Sequence, residues 1–281
     1  MKIIVWGARG SVPSPGRNTL AYGGNTPCVQ VIFNNGTEII LDAGTGIREL
    51  GNRVLSEKRR MDAVLLFSHY HWDHIQGLPF FTPGYIKGHL VRVFGLPGPS
   101  TEVRNILARQ MEQPYFPASL DLTFPMIEFE DLPRNELDFG EAKVKFIRTN
   151  HPDPCLAFRM EEKGRSFIYF TDNELFPPAE QQTPREDMIS FCRDADLLFH
   201  DSQFTKAEIS GRKGWGHSTN IDSVDFAVDA SVRELQLFHH EPSRSDTAVD
   251  AMLGEARNHA LLRGSRISVK ACIEGEEIVL R

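Results

Sequence analysis

The sequence lacks any long hydrophobic run. No stretch approaches the roughly 20 consecutive apolar residues that a membrane-spanning helix needs, so we expect no membrane partner. The opening residues, MKIIVWGARG, contain one lysine and a short apolar run that a glycine interrupts. This pattern predicts a β-strand and not a signal peptide.

Cysteine is also scarce. The 281 residues include four cysteines, which are Cys28, Cys155, Cys192 and Cys272. They are far apart and form no C-x-x-C pair, which disfavours both a disulfide scaffold and a zinc ribbon. Reduced cysteines without an export signal favour a cytoplasmic location.

An excess of positive charge is missing as well. The chain has 31 Lys and Arg residues against 38 Asp and Glu residues, a formal net charge of −7. This balance disfavours a protein that coats nucleic acid without sequence preference, so we do not expect a nucleic-acid partner. A small anionic substrate stays compatible with it, because bound divalent metal ions reverse the local electrostatic field.

Low-complexity linkers, blocks of like charge and strong repeats are absent, and we predict one domain over residues 1–281. Short apolar runs of the kind that form buried strands recur along the chain, for example DAVLLFS, SFIYFTD and LQLFHH. Helical patterns lie between several of them, which indicates the α/β class.

The region from Gly77 to Gly140 reads as loop-rich and contains eight prolines. The favoured interpretation is a packed surface excursion. The functional alternative is that this region forms a wall of the substrate pocket and presents Tyr115 and Phe116, which lie between prolines.

The segment SHYHWDH, from Ser68 to His74, concentrates three histidines and an aspartate directly after a buried apolar run. In an extended chain His69 and His71 point to the same side, and Asp73 and His74 follow as the chain turns. A solvated polar turn is the disfavoured alternative. Imidazole and carboxylate ligands suit Zn²⁺, with Mn²⁺ or Fe²⁺ as the other candidates.

Further candidate ligands end other predicted strands. His151 follows VKFIRTN, Asp172 follows SFIYFT, and the pair His239 and His240 follows LQLF. A single histidine or aspartate at a strand end is more often a cap or turn residue. Together with the histidine cluster, however, these residues are enough for two four-coordinate metal sites at one edge of a layered domain.

The ordered motifs DAGTG (Asp42 to Gly46), HYHWDH, NHP, FTDNE and LFHH resemble those of the metallo-β-lactamase superfamily over nearly the whole chain. The resemblance implies a four-layer αββα sandwich with a dinuclear metal site at one edge of the β-sandwich. The first metal would be held by His69, His71 and His151. The second would be held by Asp73, His74 and His239, with His240 as the alternative to His239. Asp172 would bridge the two ions.

Two further features belong to the same resemblance. Asp42 would lie behind the metal ligands, where it orients one of them or shapes the turn. A carboxylate that only stabilises the glycine-rich turn is an equal alternative. The segments RGSVPSPG and YGGNTPCVQV resemble N-terminal loops of the tRNase Z branch of the superfamily.

The segments LLFHDSQFT and GWGHST resemble the paired motifs of tRNase Z-type phosphodiesterases. By this resemblance a metal-bound hydroxide attacks phosphorus, Asp201 orients His217, and His217 protonates the departing oxygen. Asp73 completes the predicted catalytic set. The alternative is that Asp201 and His217 are turn and cap residues. His200 is expected to be a buried, hydrogen-bonded histidine without a catalytic role.

The substrate is inferred from segment length. Enzymes of this branch that process tRNA carry a long arm between the third histidine motif and the bridging aspartate. Here only 20 residues separate His151 from Asp172, which leaves no room for that arm. The sequence therefore resembles the smaller phosphodiesterases that act on cyclic nucleotides. Trp215 would either stack on the base or serve as a packing anchor.

Three other functions stay open at this point: an RNA-processing endonuclease, a metallo-hydrolase of the thioesterase or lactamase type, and a non-catalytic metal-binding module. A homodimer is a further expectation, taken from the related branch, and no interface is visible in the sequence.

Overall fold

The computed structural model describes residues 1–96, 99–120 and 125–281. Two seven-stranded sheets dominate it. The first sheet contains β1 (Lys2–Gly7), β2 (Cys28–Ile32), β3 (Glu38–Leu41), β4 (Asp62–Leu66), β5 (Leu90–Phe94), β6 (Ile127–Phe129) and β14 (Glu277–Val279). Its strand order is β14-β1-β2-β3-β4-β5-β6, with parallel pairing from β3 to β6.

The second sheet takes its strands from the other half of the chain. It contains β7 (Glu136–Phe139), β8 (Ala142–Arg148), β9 (Leu156–Glu162), β10 (Arg165–Phe170), β11 (Leu197–Asp201), β12 (Glu234–Phe238) and β13 (Ser268–Ala271). The order is β13-β12-β11-β10-β9-β8-β7, and β10 to β13 pair in parallel. Each sheet thus has a parallel section whose carboxyl ends are free to build a site.

Side-chain alternation explains why the strands read as continuous apolar runs. In β10, Phe167 and Tyr169 belong to a core cluster shared by both sheets, whereas Ile168 and Phe170 belong to a cluster on the helix side. Both faces of such a strand are buried, so no polar residue interrupts it.

Helices cover the outer faces of both sheets. They are α1 (Gly46–Ser56), α2 (Trp72–Ile75), α3 (Ser100–Arg109), α4 (Arg185–Cys192), α5 (Asn220–Asp229) and α6 (Asp246–Leu262). Residues of α1 and α3 pack on the first sheet, and residues of α4, α5 and α6 pack on the second. Two packed sheets between helical layers confirm the predicted αββα fold.

The region from Gly77 to Gly140 has more regular structure than the sequence indicated. It contains two 3₁₀ turns, Leu78–Phe80 and Thr82–Tyr85, followed by β5, α3, β6 and β7. The strands β6 and β7 were missed because they are short and only partly buried. Of the eight prolines there, Pro97 lies outside the described residues.

All four cysteines are buried and unpaired. Within the part of the chain that the structure describes, no helix is both long and apolar enough to cross a bilayer.

Candidate metal centre

The candidate ligands meet at one edge of the sandwich, where strands of both sheets end. His69 and His71 follow β4, His151 follows β8, Asp172 follows β10, and His239 follows β12 directly. The two sheets thus contribute ligands from opposite sides of the edge.

His69, His71 and His151 form the first group, in which one nitrogen of each ring lies within 4.8 Å of the others. The ring centroid of His69 is 4.5 Å from that of His71 and 4.7 Å from that of His151. Asp153, which the sequence analysis did not identify, accepts a hydrogen bond from His71 Nε2 at 2.9 Å. This contact fixes the His71 ring and leaves its Nδ1 available to an ion.

Asp73, His74 and His239 form the second group. Asp73 Oδ2 lies 3.3 Å from His74 Nε2 and 3.1 Å from His239 Nε2. Asp172 lies between the groups. Its Oδ1 is 3.2 Å from His74 Nε2 and 3.9 Å from His69 Nε2, and its Oδ2 is 3.3 Å from His239 Nε2. A carboxylate in this position can contact ions in both groups.

The hydrogen bonds of these residues show whether they suit divalent cations. The Nε2 atoms of His69, His74 and His151 are buried and have no hydrogen-bond partner among the described residues. Buried polar atoms without partners are rare in proteins, and three that converge beside carboxylates fit the donor set of a divalent cation. Burial lowers the pKa of His69 well below its ordinary value, which keeps the imidazole in the neutral form that binds metals.

The structure separates the two candidates for the last ligand. His239 points into the second group, whereas His240 Nε2 donates a hydrogen bond to the carbonyl oxygen of Cys272 at 3.0 Å. Burial lowers the pKa of His240 to about 4, so it is a neutral core residue. The geometry therefore favours His239 over His240.

Left-handed backbone conformations cluster at this edge. The φ angles are +61° at Asp42, +46° at Asp172 and +63° at His239, the residues at the ends of β3, β10 and β12. Non-glycine residues adopt such angles at a cost, and they persist where the surrounding structure enforces them. Here the reversal of the backbone turns each side chain out of its strand and into the site.

Asp42 lies behind the ligands, completely buried. Its carboxylate accepts hydrogen bonds from the Ser68 backbone N–H at 2.7 Å and from Ser68 Oγ, Tyr169 Oη and His74 Nδ1 at 2.8 Å each. The bond to Nδ1 fixes the proton there, so that Nε2 of His74 faces the site with its lone pair. Asp42 thus bonds both to the turn at Ser68 and to His74. These contacts are compatible with both alternatives from the sequence, stabilising the turn and orienting a ligand.

We expect Asp42→Asn to lower zinc affinity about 10- to 100-fold, because His74 loses the acceptor that orients it. Zinc titration against a competing chelator measures the change. Tyr169→Phe is the control, since it removes one donor to Asp42 and leaves the bond to His74 intact. Equal zinc affinity in wild type and Asp42→Asn would show that Asp42 only shapes the turn.

His217 and Asp201 lie next to this centre. His217 Nδ1 and Asp201 Oδ2 are 2.7 Å apart, and the His217 ring stacks on His239 with centroids 5.0 Å apart. Burial lowers the pKa of His217, but the charge of Asp201 and its hydrogen bond outweigh burial and raise it to about 9. The imidazolium form, a proton donor, is therefore favoured at neutral pH.

Asp201, His217, Asp172 and His239 also form a group compact enough for a cation. We assign Asp201 and His217 to each other instead, because Asp201 is already fully engaged. Its Oδ2 contacts His217, and its Oδ1 accepts the backbone N–H of Ser218 at 2.9 Å and that of Gln203 at 3.3 Å.

A family model described as the β-lactamase superfamily domain matches residues 37–240, well over half of the chain and almost all of the edge just described. The chain belongs to the β-lactamase superfamily. Ribonuclease Z of Thermoplasma acidophilum is 23% identical over 307 residues, covering 92% of this chain and 91% of that protein.

Solved structures agree with the superfamily fold. The metallo-β-lactamase fold protein YhfI of Bacillus subtilis superposes with a TM-score of 0.68 at 19% identity, covering 99% of each chain. Yeast PDE1 superposes with a TM-score of 0.69 at 14% identity, also covering 99% of each chain. The predicted superfamily membership is confirmed, and the chain is a metal-dependent hydrolase of this superfamily.

Glu174 is a site residue of this superfamily member that the sequence analysis missed. Its carboxylate accepts the backbone N–H of Gly214 at 2.8 Å and that of Gly216 at 3.2 Å. Gly216 has a φ of +87°, and a Cβ there would lie 2.1 Å from His151 Cδ2. Glu174 therefore fixes the loop before His217 closely against the first histidine group. Its place two residues after Asp172 was the available signal.

The loop that follows β1 covers the second group, which was also not predicted. The Ser11 backbone N–H donates to Asp73 Oδ2 at 2.7 Å, and Gln203 Nε2 donates to Ser11 Oγ at 3.0 Å. A Cβ on Gly10 would lie 2.5 Å from the His239 ring, so only glycine allows this approach. The RGSVPSPG segment thus contributes directly to the site.

His200 has the buried, satisfied environment that was expected. Its Nδ1 lies 2.8 Å from the Asp201 carbonyl oxygen and 2.9 Å from Ser223 Oγ, and its Nε2 lies 3.3 Å from Asn173 Nδ2. These contacts suit the neutral Nδ1–H tautomer. Burial lowers the pKa of His200 to about 4 against a smaller opposing effect of Asp201.

A pH effect on stability follows from His200. A lowered pKa in the folded state means that the unfolded chain takes up the proton first. The contribution of neutral His200 to the free energy of unfolding is fully present above pH 6.5 and is lost as the pH falls toward about 4. We expect this residue to contribute about 3 kcal/mol to that loss. Urea unfolding from pH 7 to pH 4 should show a shallower slope for His200→Gln than for wild type, and parallel slopes would contradict the assignment.

Trp215, the residue expected to stack on a base or to anchor packing, is 58% exposed. That exposure does not suit a packing anchor. Its role in substrate binding stays a prediction.

Proposed function

We propose that the chain is a dinuclear metal-dependent phosphodiesterase that hydrolyses a small phosphodiester, in the first place a 3′,5′-cyclic nucleotide. The observation that carries the proposal is the contact between His217 and Asp201 at 2.7 Å, directly beside the ligand groups. Phosphodiester cleavage expels an alkoxide, which benefits from a positioned acid, whereas a thiolate leaves without one. The contact therefore favours a phosphodiesterase over a thioesterase or a lactamase.

In this proposal the ligand set has two halves. His69, His71 and His151 would hold one ion, and Asp73, His74 and His239 the other, with Asp172 shared between them. Two divalent ions bound there would supply Lewis acidity toward the phosphoryl oxygens and generate a nucleophile from water at neutral pH. Zn²⁺ is the first candidate for this donor set, with Mn²⁺ and Fe²⁺ next.

Side chains and backbone groups of the protein would transfer the proton and orient the metal ligands. Asp201 holds the His217 ring through Nδ1, which leaves Nε2 as the atom that gives its proton to the departing oxygen. Asp42 orients His74, and Ser11 orients the carboxylate of Asp73. A metal-binding module without catalysis would not require a buried carboxylate that holds a histidine beside the ligands.

A cleft beside His217 supports a small substrate. It has a volume of about 260 Å³ and is lined by Phe176, Lys206 and Lys213 among others. Lys206 is paired with Asp222 in the same wall, which leaves Lys213 as the cation near the proton donor that suits an anionic group. The segment between His151 and Asp172 contains the hairpin of β9 and β10, joined by Lys163 and Gly164, and no protruding arm.

The second candidate is an RNA-processing endonuclease, and one observation favours it. Several of the most similar relatives carry the name ribonuclease Z, and they match over nearly their whole length. The expectation that nucleic acid is not a partner is weakened accordingly. An RNA ligand would show a steep loss of affinity with rising salt concentration, because each phosphate contact releases counterions.

The test uses zinc- or manganese-loaded protein with 3′,5′-cyclic AMP, 3′,5′-cyclic GMP, bis(p-nitrophenyl) phosphate and a tRNA precursor with a 3′ extension. Turnover of a cyclic nucleotide to a nucleoside monophosphate, without cleavage of the precursor, supports the proposal. Cleavage of the precursor with strong salt dependence supports the endonuclease. Hydrolysis of the activated ester alone would contradict both substrate assignments, although it would still support a catalytic metal centre.

A cytoplasmic location and a homodimer stay predictions within this proposal. Neither is needed for the chemistry described, since every residue invoked belongs to one chain.

A further inference from the structure

A second cleft opens on the other side of the metal-binding segment. It has a volume of about 370 Å³. Its walls are formed by Tyr70, Trp72 and Ile75 of that segment and by Ile106, Gln110 and Tyr115 of the region from Gly77 to Gly140. This volume falls within the range of small-molecule sites.

Two aromatic side chains stand exposed at this cleft. Trp72 is 69% exposed and Tyr115 is 80% exposed. Large aromatic rings that line a cleft while facing solvent offer flat apolar surfaces to a ligand. Every nucleobase has a π-face that stacks on such rings, and this stacking tolerates different bases.

The cleft also contains polar atoms that lack partners. Tyr70 Oη and Gln110 Nε2 are buried and have no hydrogen-bond partner among the described residues. The Tyr70 hydroxyl packs closely against the backbone of Gly95. A Cβ placed on Gly95 would lie 2.1 Å from Tyr70 Oη. Both atoms lie behind the surface of the cleft, so the solvent-facing rings, and not these two atoms, would meet a base.

Arg109 adds a cation to the same wall. Its guanidinium is exposed and takes part in no hydrogen bond or ion pair within the described ranges of the chain. An unpaired guanidinium in this position attracts an anionic ligand and can stack on a base itself.

The position of Trp72 connects this cleft with the metal centre. Trp72 lies between His71 and Asp73 in the sequence, and it starts the single turn of α2. Trp72 and Ile75, three residues apart, line the cleft, while Asp73 and His74 belong to the second ligand group. The cleft and the second ligand group are therefore lined by different residues of the same helical turn, whose pitch is about 5.4 Å, and a single nucleotide can reach both.

We propose that this cleft, between Trp72 and Tyr115, binds the nucleobase of the substrate while the phosphodiester lies over the ligand groups. The inference rests on the proposed phosphodiesterase function and extends it, because it identifies where a nucleotide is recognised. It also gives the region from Gly77 to Gly140 a function: α3 and the segment after it form the far wall of the base site. Trp215 lies outside this cleft.

The test measures binding, so that it does not depend on turnover. Isothermal calorimetry compares AMP with ribose 5-phosphate, which has the same phosphate and sugar but no base. We expect wild type to bind AMP roughly ten-fold or more tightly than ribose 5-phosphate, in keeping with one stacked base. Trp72→Ala and Tyr115→Ala should bring the two affinities together, and Trp72→Phe should restore most of the difference.

Phe80→Ala is the matched control, because Phe80 is an exposed aromatic residue, at 57%, that does not line the cleft. It should leave the preference for AMP unchanged. Equal affinities for the two ligands in wild type would overturn the proposal, as would a preference that disappears in Trp215→Ala and persists in Trp72→Ala. If AMP is preferred but no cyclic nucleotide is hydrolysed, the base site stands and the proposed function fails.

Discussion

His217→Ala is expected to lower kcat for a cyclic nucleotide about 10²- to 10⁴-fold, the range that general acid catalysis contributes. The alkoxide leaving group would then depart without a proton. The metal ligands are not altered, so zinc content should stay at the wild-type level. Steady-state kinetics and elemental analysis of the same preparation measure both quantities.

A comparison of leaving groups sharpens this prediction. Bis(p-nitrophenyl) phosphate expels a stabilised phenolate that needs little protonation, so its hydrolysis should fall much less in His217→Ala. Asp201→Asn should reproduce the effect of His217→Ala in weaker form, because Asp201 acts through the His217 ring. Equal losses on both substrates would argue that the mutation damages the site as a whole and not proton donation.

Removal of the metal ions is expected to lower Tm by roughly 15 °C. Ions present at about 1,000 times their Kd stabilise a protein by about 4 kcal/mol for each site, or about 8 kcal/mol for two. A chain of this size loses about 2 °C for each kcal/mol. The apo protein also keeps buried histidine nitrogens without partners. Differential scanning calorimetry with and without chelator measures the shift.

Asp172→Asn provides the control for metal removal. The shared carboxylate contacts both ligand groups, so its loss should weaken both sites and make the chelator nearly without effect. A wild-type Tm that does not respond to chelator would contradict tight metal binding at this edge.

The principal features of the site were predictable from the sequence, because the candidate ligands stand directly after the strands that position them. The strand β4 is continuously apolar up to the histidine cluster, and β10 and β12 lead to Asp172 and His239. Parallel strands bring such ends to one edge, so local patterns predicted that the candidate ligands meet there, whereas their division into two groups came from the resemblance to the superfamily.

Residues that act over long sequence distances could not be predicted in the same way. Glu174 binds a loop 40 residues away, and Ser11 contacts Asp73 62 residues away. Both residues lie in segments that the sequence analysis quoted, FTDNE and RGSVPSPG, but no local pattern indicates which distant group each one contacts. The cleft between Trp72 and Tyr115 likewise could not be predicted, because it forms only where α3 and the segment after it pack beside the metal-binding segment.

The choice between His239 and His240 shows the limit of motif alignment. Neighbouring side chains on an extended chain point to opposite sides, so a shift of one residue exchanges a ligand for a core residue. The left-handed turn at His239, with a φ of +63°, decides which ring enters the site. Gly10, in the loop after β1 of the first sheet, packs against the His239 ring, a contact that no local sequence pattern encodes.

In the proposed function this edge of the sandwich holds two divalent ions. The most direct test of this proposal is the metal content of the protein after zinc loading and exhaustive dialysis, measured by inductively coupled plasma mass spectrometry against protein concentration. We expect two equivalents of zinc for each chain. One equivalent or none would contradict a dinuclear centre, and with it the assignment of both ligand groups to catalysis.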